Sequence, residues 1–229
     1  MIQIMIVKDI FMNKARIIKR IERFVRQRLS GEGTGHDWWH VDRVRRIALK
    51  IAAREGGDQL VIALAALLHD IADWKFHGDE KVGSKLARQV LGELKVEQAI
   101  IDQVCDIIGH ISFKGAGVNT PMATLEGKIV QDADRLDVLG AIGIARVFAY
   151  GGYKQRPIYD PDIKIKLHKT FAQYRSSSSP SINHFHEKLL LIKDRLNTKT
   201  ARQIARSRHK FLENYLKQFY REWRGKDLA

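Results

Sequence analysis

The sequence predicts an all-α fold, and three observations support this. Apolar residues recur at helical spacing between charged residues over 13–29 and again over 182–223. The uninterrupted apolar run Leu60–Leu68 is typical of a buried helix. No segment alternates between apolar and polar residues convincingly enough to predict a strand, and no internal repeat is present.

The composition is that of a globular protein with one large or two small domains. The chain has 229 residues, of which 45% are hydrophobic and 29% are charged. Its 40 Lys and Arg outnumber 26 Asp and Glu, and the formal charge of +14 favours a polyanionic ligand such as a nucleotide, a phosphorylated metabolite or a nucleic acid.

The number of cysteines and the lengths of the apolar segments indicate the cellular compartment. Cys105 is the only cysteine, which excludes a disulfide framework and a cysteine-based zinc site. The apolar segment 1–7 is too short for a signal sequence or a membrane span, and no later apolar run is long enough to cross a bilayer. We therefore expect a cytoplasmic protein without a membrane anchor.

Glycines and one capping residue delimit the predicted helices of the first half. The amphipathic helix over 13–29 is followed by the glycine-rich loop Ser30–Gly35. The next helix is expected to open at His36–His40 and to stop at Gly56–Gly57. Asp58 is a candidate cap for the helix that follows, which is expected to continue through His69 and Asp70.

The second half is predicted to alternate between helices and flexible loops. The predicted helices cover residues 80–91, 96–108, 125–150 and, as basic amphipathic segments, 182–223. The predicted loops, which are rich in glycine, proline or serine, cover residues 111–120, 151–161 and 176–180. We expect a core over 13–160 and C-terminal helices over 161–229 that pack on it as a single compact unit.

His69 and Asp70 are the first candidates for a functional site. They follow the apolar run Leu60–Leu68, where an imidazole and a carboxylate are costly to bury unless something pairs them. On a continuing helix, Asp73 would share a flank with both. Neutral imidazole beside carboxylates suits a divalent metal, and a purely structural pair at the end of a helix is the alternative.

Two further groups of metal-binding residue types lie elsewhere in the chain. His36 and His40 have the i, i+4 spacing of metal ligands, although packing or capping explains such a pair equally. Asp132, Asp134 and Asp137 lie in an apolar segment, where buried acids need a cation. Asp134 and Asp137 share a helical face, whereas Asp132 lies about 200° from Asp134, so an undistorted helix cannot direct all three at one ion.

The order His40, His69–Asp70, Asp134 resembles that of the HD superfamily of metal-dependent phosphohydrolases, whose pattern is H…HD…D on a helical bundle. The similarity spans about residues 20–224 and is closest to the small stand-alone bacterial branch. The matching segments read GHDWWHVDRV, AALLHDIAD, IIGH, DADRLDVLGAIGIAR and SINHFHEKLLLIKD. The resemblance implies an HD-domain helical bundle with a C-terminal helical extension.

The same resemblance implies a metal site and a catalytic acid. The expected metal ligands are His40, His69, Asp70 and Asp134. The expected ion is divalent, with Mn²⁺ favoured and Fe²⁺, Co²⁺, Ni²⁺, Zn²⁺ or Mg²⁺ as alternatives. Asp134 is preferred to its rival Asp132 because it lies in the Ala-Asp-Arg/Lys-Leu setting common in the superfamily. Asp73 would orient or deprotonate the attacking water.

Further polar side chains are candidates to support the metal ligands or to bind phosphate. They are His36, Arg43, Lys75, His110, Lys114, Asp132, Asp137 and Arg156. The four basic side chains in this set could hold phosphate oxygens, and arginine suits bidentate contacts. For His36 and His110, an ordinary structural histidine is the alternative.

The function implied by the resemblance is hydrolysis of a phosphorylated small molecule, and release of pyrophosphate from nucleoside triphosphates is favoured. Among enzymes, the alternative is a nucleoside monophosphate phosphatase or a phosphodiesterase. A nucleotide-sensing module with little turnover is a non-enzymatic alternative. Another is a nucleic-acid-binding module, although no recognised nucleic-acid motif is present and aromatic and basic residues interleave only over Tyr215–Trp223.

Overall fold

The protein is all-α, as predicted. The computed structural model describes residues 2–31, 33–71 and 81–227, and the side chains of residues 13–31, 33–71 and 82–227. No strand occurs among these residues, and none of the described helices is long and apolar enough to cross a membrane. The chain divides into two compact units. The first unit is Met1–Glu32, His36–Ser112 and Thr120–Gln131, and the second is Gly33–Gly35, Phe113–Asn119 and Asp132–Ala229. The domain boundary expected near residue 160 stays a prediction.

The first unit is built around one short apolar helix. Its helices are α1 (Ile2–Arg28), α2 (Trp38–Glu55), α3 (Gln59–Leu68), α4 (Lys81–Glu93), α5 (Gln98–His110) and the first half of α6 (Leu125–Asp137). Every residue of Leu60–Leu68 is buried, and α3 packs against α1, α2 and α5. Burial of each leucine or isoleucine side chain contributes about 1.5–3 kcal/mol, which explains why so apolar a segment occupies the centre.

The capping residues place the end of α2 and the start of α3 close to their predicted positions. Gly56, with φ +89°, ends α2 by donating its backbone N–H to the Ala52 carbonyl. The Asp58 carboxylate accepts the backbone N–H groups of Leu60 and Val61 and so begins α3, as predicted. The start of α2 differs from the expectation, because the Asp37 carboxylate accepts the backbone N–H of His40 and the helix begins at Trp38. The prediction that α3 continues through His69 and Asp70 was wrong, because the helix ends at Leu68 and the chain turns there.

The second unit is organised around a long C-terminal helix. It contains the end of α6, then α7 (Gly140–Tyr153), α8 (Phe171–Arg175), α9 (Ser181–Glu187), a 3₁₀ segment (Leu189–Arg195) and α10 (Lys199–Trp223). Helix α10 packs against α7 and the 3₁₀ segment, and α9 also packs against α7. The rings of Phe148, Phe185 and Tyr215 meet between these elements, with centroids 5.6–6.3 Å apart.

Three predictions about helix boundaries were wrong in detail. The single helix expected over 125–150 is two helices, because Gly140 has φ +73° and Leu139 is extended. Gly143 then lies against the backbone of Val138, where a Cβ would come within 2.1 Å of the carbonyl oxygen. The helical pattern over 182–223 is likewise interrupted by the 3₁₀ segment, and the first helix of the chain begins at Ile2 rather than Asn13.

Candidate metal centre

His69 and Asp70 lie directly after α3, at the edge of the buried interior of the first unit. Their side chains are 8% and 9% exposed. The Nδ1 atom of His69 lies 2.8 Å from the carbonyl oxygen of Ala66, one turn back along the helix. A carbonyl can only accept, so Nδ1 carries the proton and donates it. The lone pair of the neutral ring is therefore on Nε2, the nitrogen that can bind a cation.

His40 on α2 provides a second nitrogen facing the first. It is fully buried, and its Nε2 lies 3.2 Å from Nε2 of His69. Without a cation, one ring must place a proton between the two nitrogens. Two imidazole nitrogens bound to one ion at about 2.0–2.1 Å would lie about 3.0–3.4 Å apart, so the observed separation fits a shared ion.

Asp70 completes this group with a negative charge. Its Oδ2 lies 2.6 Å from Nδ1 of His36 and 3.5 Å from Nε2 of His40. Burial acts to raise the pKa of Asp70. The charge and hydrogen bond of His36, and then the charges of His69 and His40, outweigh this effect and hold the pKa well below its ordinary value. The carboxylate therefore stays ionised beside the imidazole nitrogens, as a metal ligand must.

The structure thus brings together four of the predicted residues in the first unit. His36, His40 and Asp70 offer ligand atoms that all lie within 4.8 Å of one another, and His69 faces His40. His36 belongs to this group although it precedes α2. It reaches Asp70 from the segment before the helix rather than from the helical face that its spacing indicated. A buried set of imidazoles and one carboxylate has the chemistry of a site for a divalent transition metal.

Asp132 has a structural role that sequence analysis did not foresee. Its two carboxylate oxygens accept four hydrogen bonds of 2.7–2.9 Å, two from the backbone N–H groups of Asn197 and Thr198 and two from their side chains. Burial raises the pKa of Asp132, and these hydrogen bonds oppose the rise. Thr198 is also the N-cap of α10, so Asp132 fixes the start of that helix. No local sequence signal relates residues 65 positions apart.

Asp137 is also engaged within the second unit. It is buried, and one of its oxygens lies 3.1 Å from Nη1 of Arg146. Asp134, between Asp132 and Asp137 on α6, is half-buried. Asp134 stays the predicted metal ligand on this helix.

The remaining candidates lie in varied settings. His110 is exposed at the end of α5, with its Nδ1 next to the carbonyl and carboxylate of Asp106. Arg43 is half-buried on α2. Asp73 and Lys75 lie outside the described residues.

Two basic candidates belong to the second unit and contact aromatic rings. The Lys114 ammonium lies 5.3 Å from the ring centre of Phe171. Arg156 donates to the carbonyl of Ser177 and lies 5.6 Å from the ring centre of Tyr150. Both cations thus lie within cation–π distance of a ring in the second unit.

The hydrogen bond between His36 and Asp70 gives a first prediction. His36→Ala is expected to weaken the binding of a divalent metal by about 10–100-fold, because the residues that orient metal ligands typically contribute this much to affinity. His36→Asn, whose amide can offer a donor near the same position, should recover much of the loss. Titration calorimetry on metal-stripped protein measures both. Equal affinities for wild type and His36→Ala would show that His36 does not orient Asp70.

Comparison with known proteins relates this cluster to a family. A protein-family model described as the HD domain matches residues 38–139, a range that includes His40, His69, Asp70 and Asp134. The Bacillus subtilis (strain 168) protein YpgQ is 34% identical over 218 residues, which cover 94% of this chain and 98% of YpgQ.

Solved structures share the fold over nearly the whole chain. A protein of Lactobacillus plantarum superposes with a TM-score of 0.84 at 35% identity, covering 92% of this chain and 98% of that one. An HD-superfamily hydrolase of Bacillus thuringiensis has a TM-score of 0.70 at 43% identity, with the same coverage. Bacillus subtilis YpgQ in complex with ADP has a TM-score of 0.68 at 31% identity, covering 90% of this chain and 97% of YpgQ.

Proposed function

Because this chain belongs to the HD-domain superfamily, we propose that it is a divalent-metal-dependent phosphohydrolase that cleaves nucleoside triphosphates and releases pyrophosphate. The observation that carries the proposal is the pair of imidazole Nε2 atoms 3.2 Å apart, with the Asp70 carboxylate beside them. The complex of YpgQ with ADP supports a nucleotide as the substrate class.

The proposed metal ligands combine two imidazoles and two carboxylates. They are His40, His69, Asp70 and Asp134. This set is harder than a cysteine site and suits Mn²⁺, Fe²⁺, Co²⁺, Ni²⁺ or Zn²⁺. A divalent ion held there would polarise a phosphoryl oxygen and lower the pKa of a water molecule towards neutrality. His36 would hold the Asp70 carboxylate in its ligating orientation.

Other polar side chains would accept the proton of the attacking water and bind the phosphate of the substrate. Asp73 would accept the proton of the attacking water. The phosphate oxygens, on which negative charge develops during the reaction, need cationic partners. The side chains proposed for this role are Arg43, Lys75, Lys114 and Arg156.

A metal-by-substrate screen on chelator-stripped protein tests the proposal. Mn²⁺, Mg²⁺, Ni²⁺, Co²⁺ and Zn²⁺ are crossed with nucleoside mono-, di- and triphosphates and with generic phosphoesters, and orthophosphate is assayed with and without added pyrophosphatase. Signal from triphosphates that requires pyrophosphatase supports the proposal. Direct release of orthophosphate from monophosphates would replace it with a nucleotidase, and tight metal binding without turnover would replace it with a sensing module.

Asp73 gives a sharper prediction within this scheme. Asp73→Ala is expected to keep the Mn²⁺ affinity of the wild type and to lower kcat by about 10²–10⁴-fold, the range that general acid–base catalysis contributes. Asp79→Ala, a second aspartate in the same stretch of sequence, is the matched control and should leave kcat within a few-fold. Full activity of the Asp73→Ala protein would remove Asp73 from the mechanism.

A further inference from the structure

Helix α10 carries a line of basic side chains on one face. At about 100° per residue, seven exposed lysines and arginines fall within a sector about 100° wide. They extend over about 37 Å, at a rise of about 1.5 Å per residue. We call this set the α10 stripe; its members are Lys199, Arg202, Arg206, Lys210, Lys217, Arg221 and Arg224.

Few acids neutralise the stripe. The second unit contains 21 Lys and Arg against 10 Asp and Glu, a net charge of +11 out of the +14 of the chain. Within the part of the chain that the structure describes, Lys210 is the one member with an ion pair, 3.4 Å from Glu213. Exposed pairs of this kind contribute little, so the stripe keeps a strong positive field.

The stripe is held on a rigid support. Another side of α10 is buried, through Ala201, Ala205, Leu212 and Leu216, and the helix packs against α7. Thr198 fixes the start of the helix, because its hydroxyl oxygen accepts a hydrogen bond from the backbone N–H of Ala201. The same hydroxyl donates a hydrogen bond to the Asp132 carboxylate. The basic side chains therefore extend from a helix that is already packed in place. Binding a partner would not cost the entropy of ordering this backbone.

We propose that the α10 stripe is a docking surface for the phosphate backbone of a nucleic acid. A single nucleotide is too small to engage charges spread over about 37 Å, whereas duplex DNA offers about one negative charge per 1.7 Å of its axis. A membrane surface fits poorly, since helices that bind bilayers insert a free apolar face and that of α10 is already buried. Contacts to phosphates alone imply binding without sequence preference.

Fluorescence anisotropy of the full chain with a labelled mixed-sequence 20-base-pair duplex tests this proposal. We expect binding in the micromolar range at low salt. With about six phosphates engaged, the slope of log K against log salt should be near −5, and affinity should fall about 10³-fold between 50 and 200 mM salt. No binding at low salt, or a slope near zero, would overturn the proposal.

Matched variants separate the stripe from overall charge. The triple variant Arg206→Gln, Lys210→Gln, Lys217→Gln should reduce the steepness of the slope by about 2.7 and weaken binding strongly. The control Lys164→Gln, Lys166→Gln, Lys169→Gln removes the same charge from other exposed positions of the second unit. The control should retain most of the affinity.

Equal losses in the two triple variants would show that net charge, not the stripe, drives binding. Tighter binding to anionic vesicles or to polyglutamate than to the duplex would assign the surface to a membrane or an acidic protein and overturn the proposal. Thermal melting confirms that both variants stay folded, which we expect because all six side chains are exposed.

Discussion

Asp70→Asn is expected to abolish tight Mn²⁺ binding and to lower turnover by about 1,000-fold or more, since the proposed chemistry depends on the bound ion. The carboxylate is the negative charge that the structure places within 3.5 Å of the His40 Nε2 atom, and it is held ionised by the surrounding imidazoles. An amide of the same shape removes the charge with little change in volume. His69→Ala, which removes the Nε2 donor itself, should have the same effect.

Thermal stability provides a readout that is independent of activity. At about 100 times its dissociation constant, a ligand that binds the folded state alone contributes about 2.7 kcal/mol. For a chain of this size that corresponds to a rise in Tm of about 5–10 °C. Wild type should show this rise with Mn²⁺, and Asp70→Asn should not.

Asp106→Asn is the matched control for this prediction. Asp106 is an exposed aspartate of α5 in the same unit, and its substitution should leave the Mn²⁺-dependent rise in Tm unchanged. If Asp70→Asn protein bound Mn²⁺ as tightly as wild type and stayed fully active, the assignment of the metal centre would be wrong.

Asp132→Asn and Asp134→Asn are expected to have opposite effects. Each oxygen of the Asp132 carboxylate accepts two hydrogen bonds. An asparagine side chain replaces one of these oxygens by an NH₂ group, whose N–H bonds would face two of the four donors. We expect a loss of about 2–4 kcal/mol in the free energy of unfolding, with metal binding retained in the folded fraction. Asp134→Asn should lose less stability than Asp132→Asn and bind Mn²⁺ much more weakly.

Urea unfolding and Mn²⁺ titration on the two proteins measure this contrast. The two substitutions change the chemistry of the side chain in the same way, so each serves as the control for the other. The reverse result, with Asp134→Asn destabilised and Asp132→Asn deficient in metal binding, would make Asp132 the ligand.

The local part of the fold could be predicted because its signals are local. Gly56 and Asp58 act within four residues of themselves, so the end of α2 and the start of α3 can be predicted from short segments. The burial of Leu60–Leu68 follows from composition alone. The order of His40, His69, Asp70 and Asp134 was sufficient to indicate the HD superfamily, and the comparisons confirm that membership.

The division of α6 from α7 was not predicted, for a physical reason. Gly140 fits a helical pattern as well as it fits a break, and the sequence does not show which conformation it adopts. The positive φ angle at Gly140 and the close approach of Gly143 to Val138 depend on how the turn packs.

The sequence by itself thus determined the all-α class, the helix caps and the residue types that can bind a metal. Only the tertiary structure decided how these residues are used. It turned the Nε2 atoms of His40 and His69 towards each other and directed Asp132 to the start of α10. Residues 29 and 66 positions apart meet in these contacts. Helical periodicity extends over a few turns and does not encode which distant segments meet.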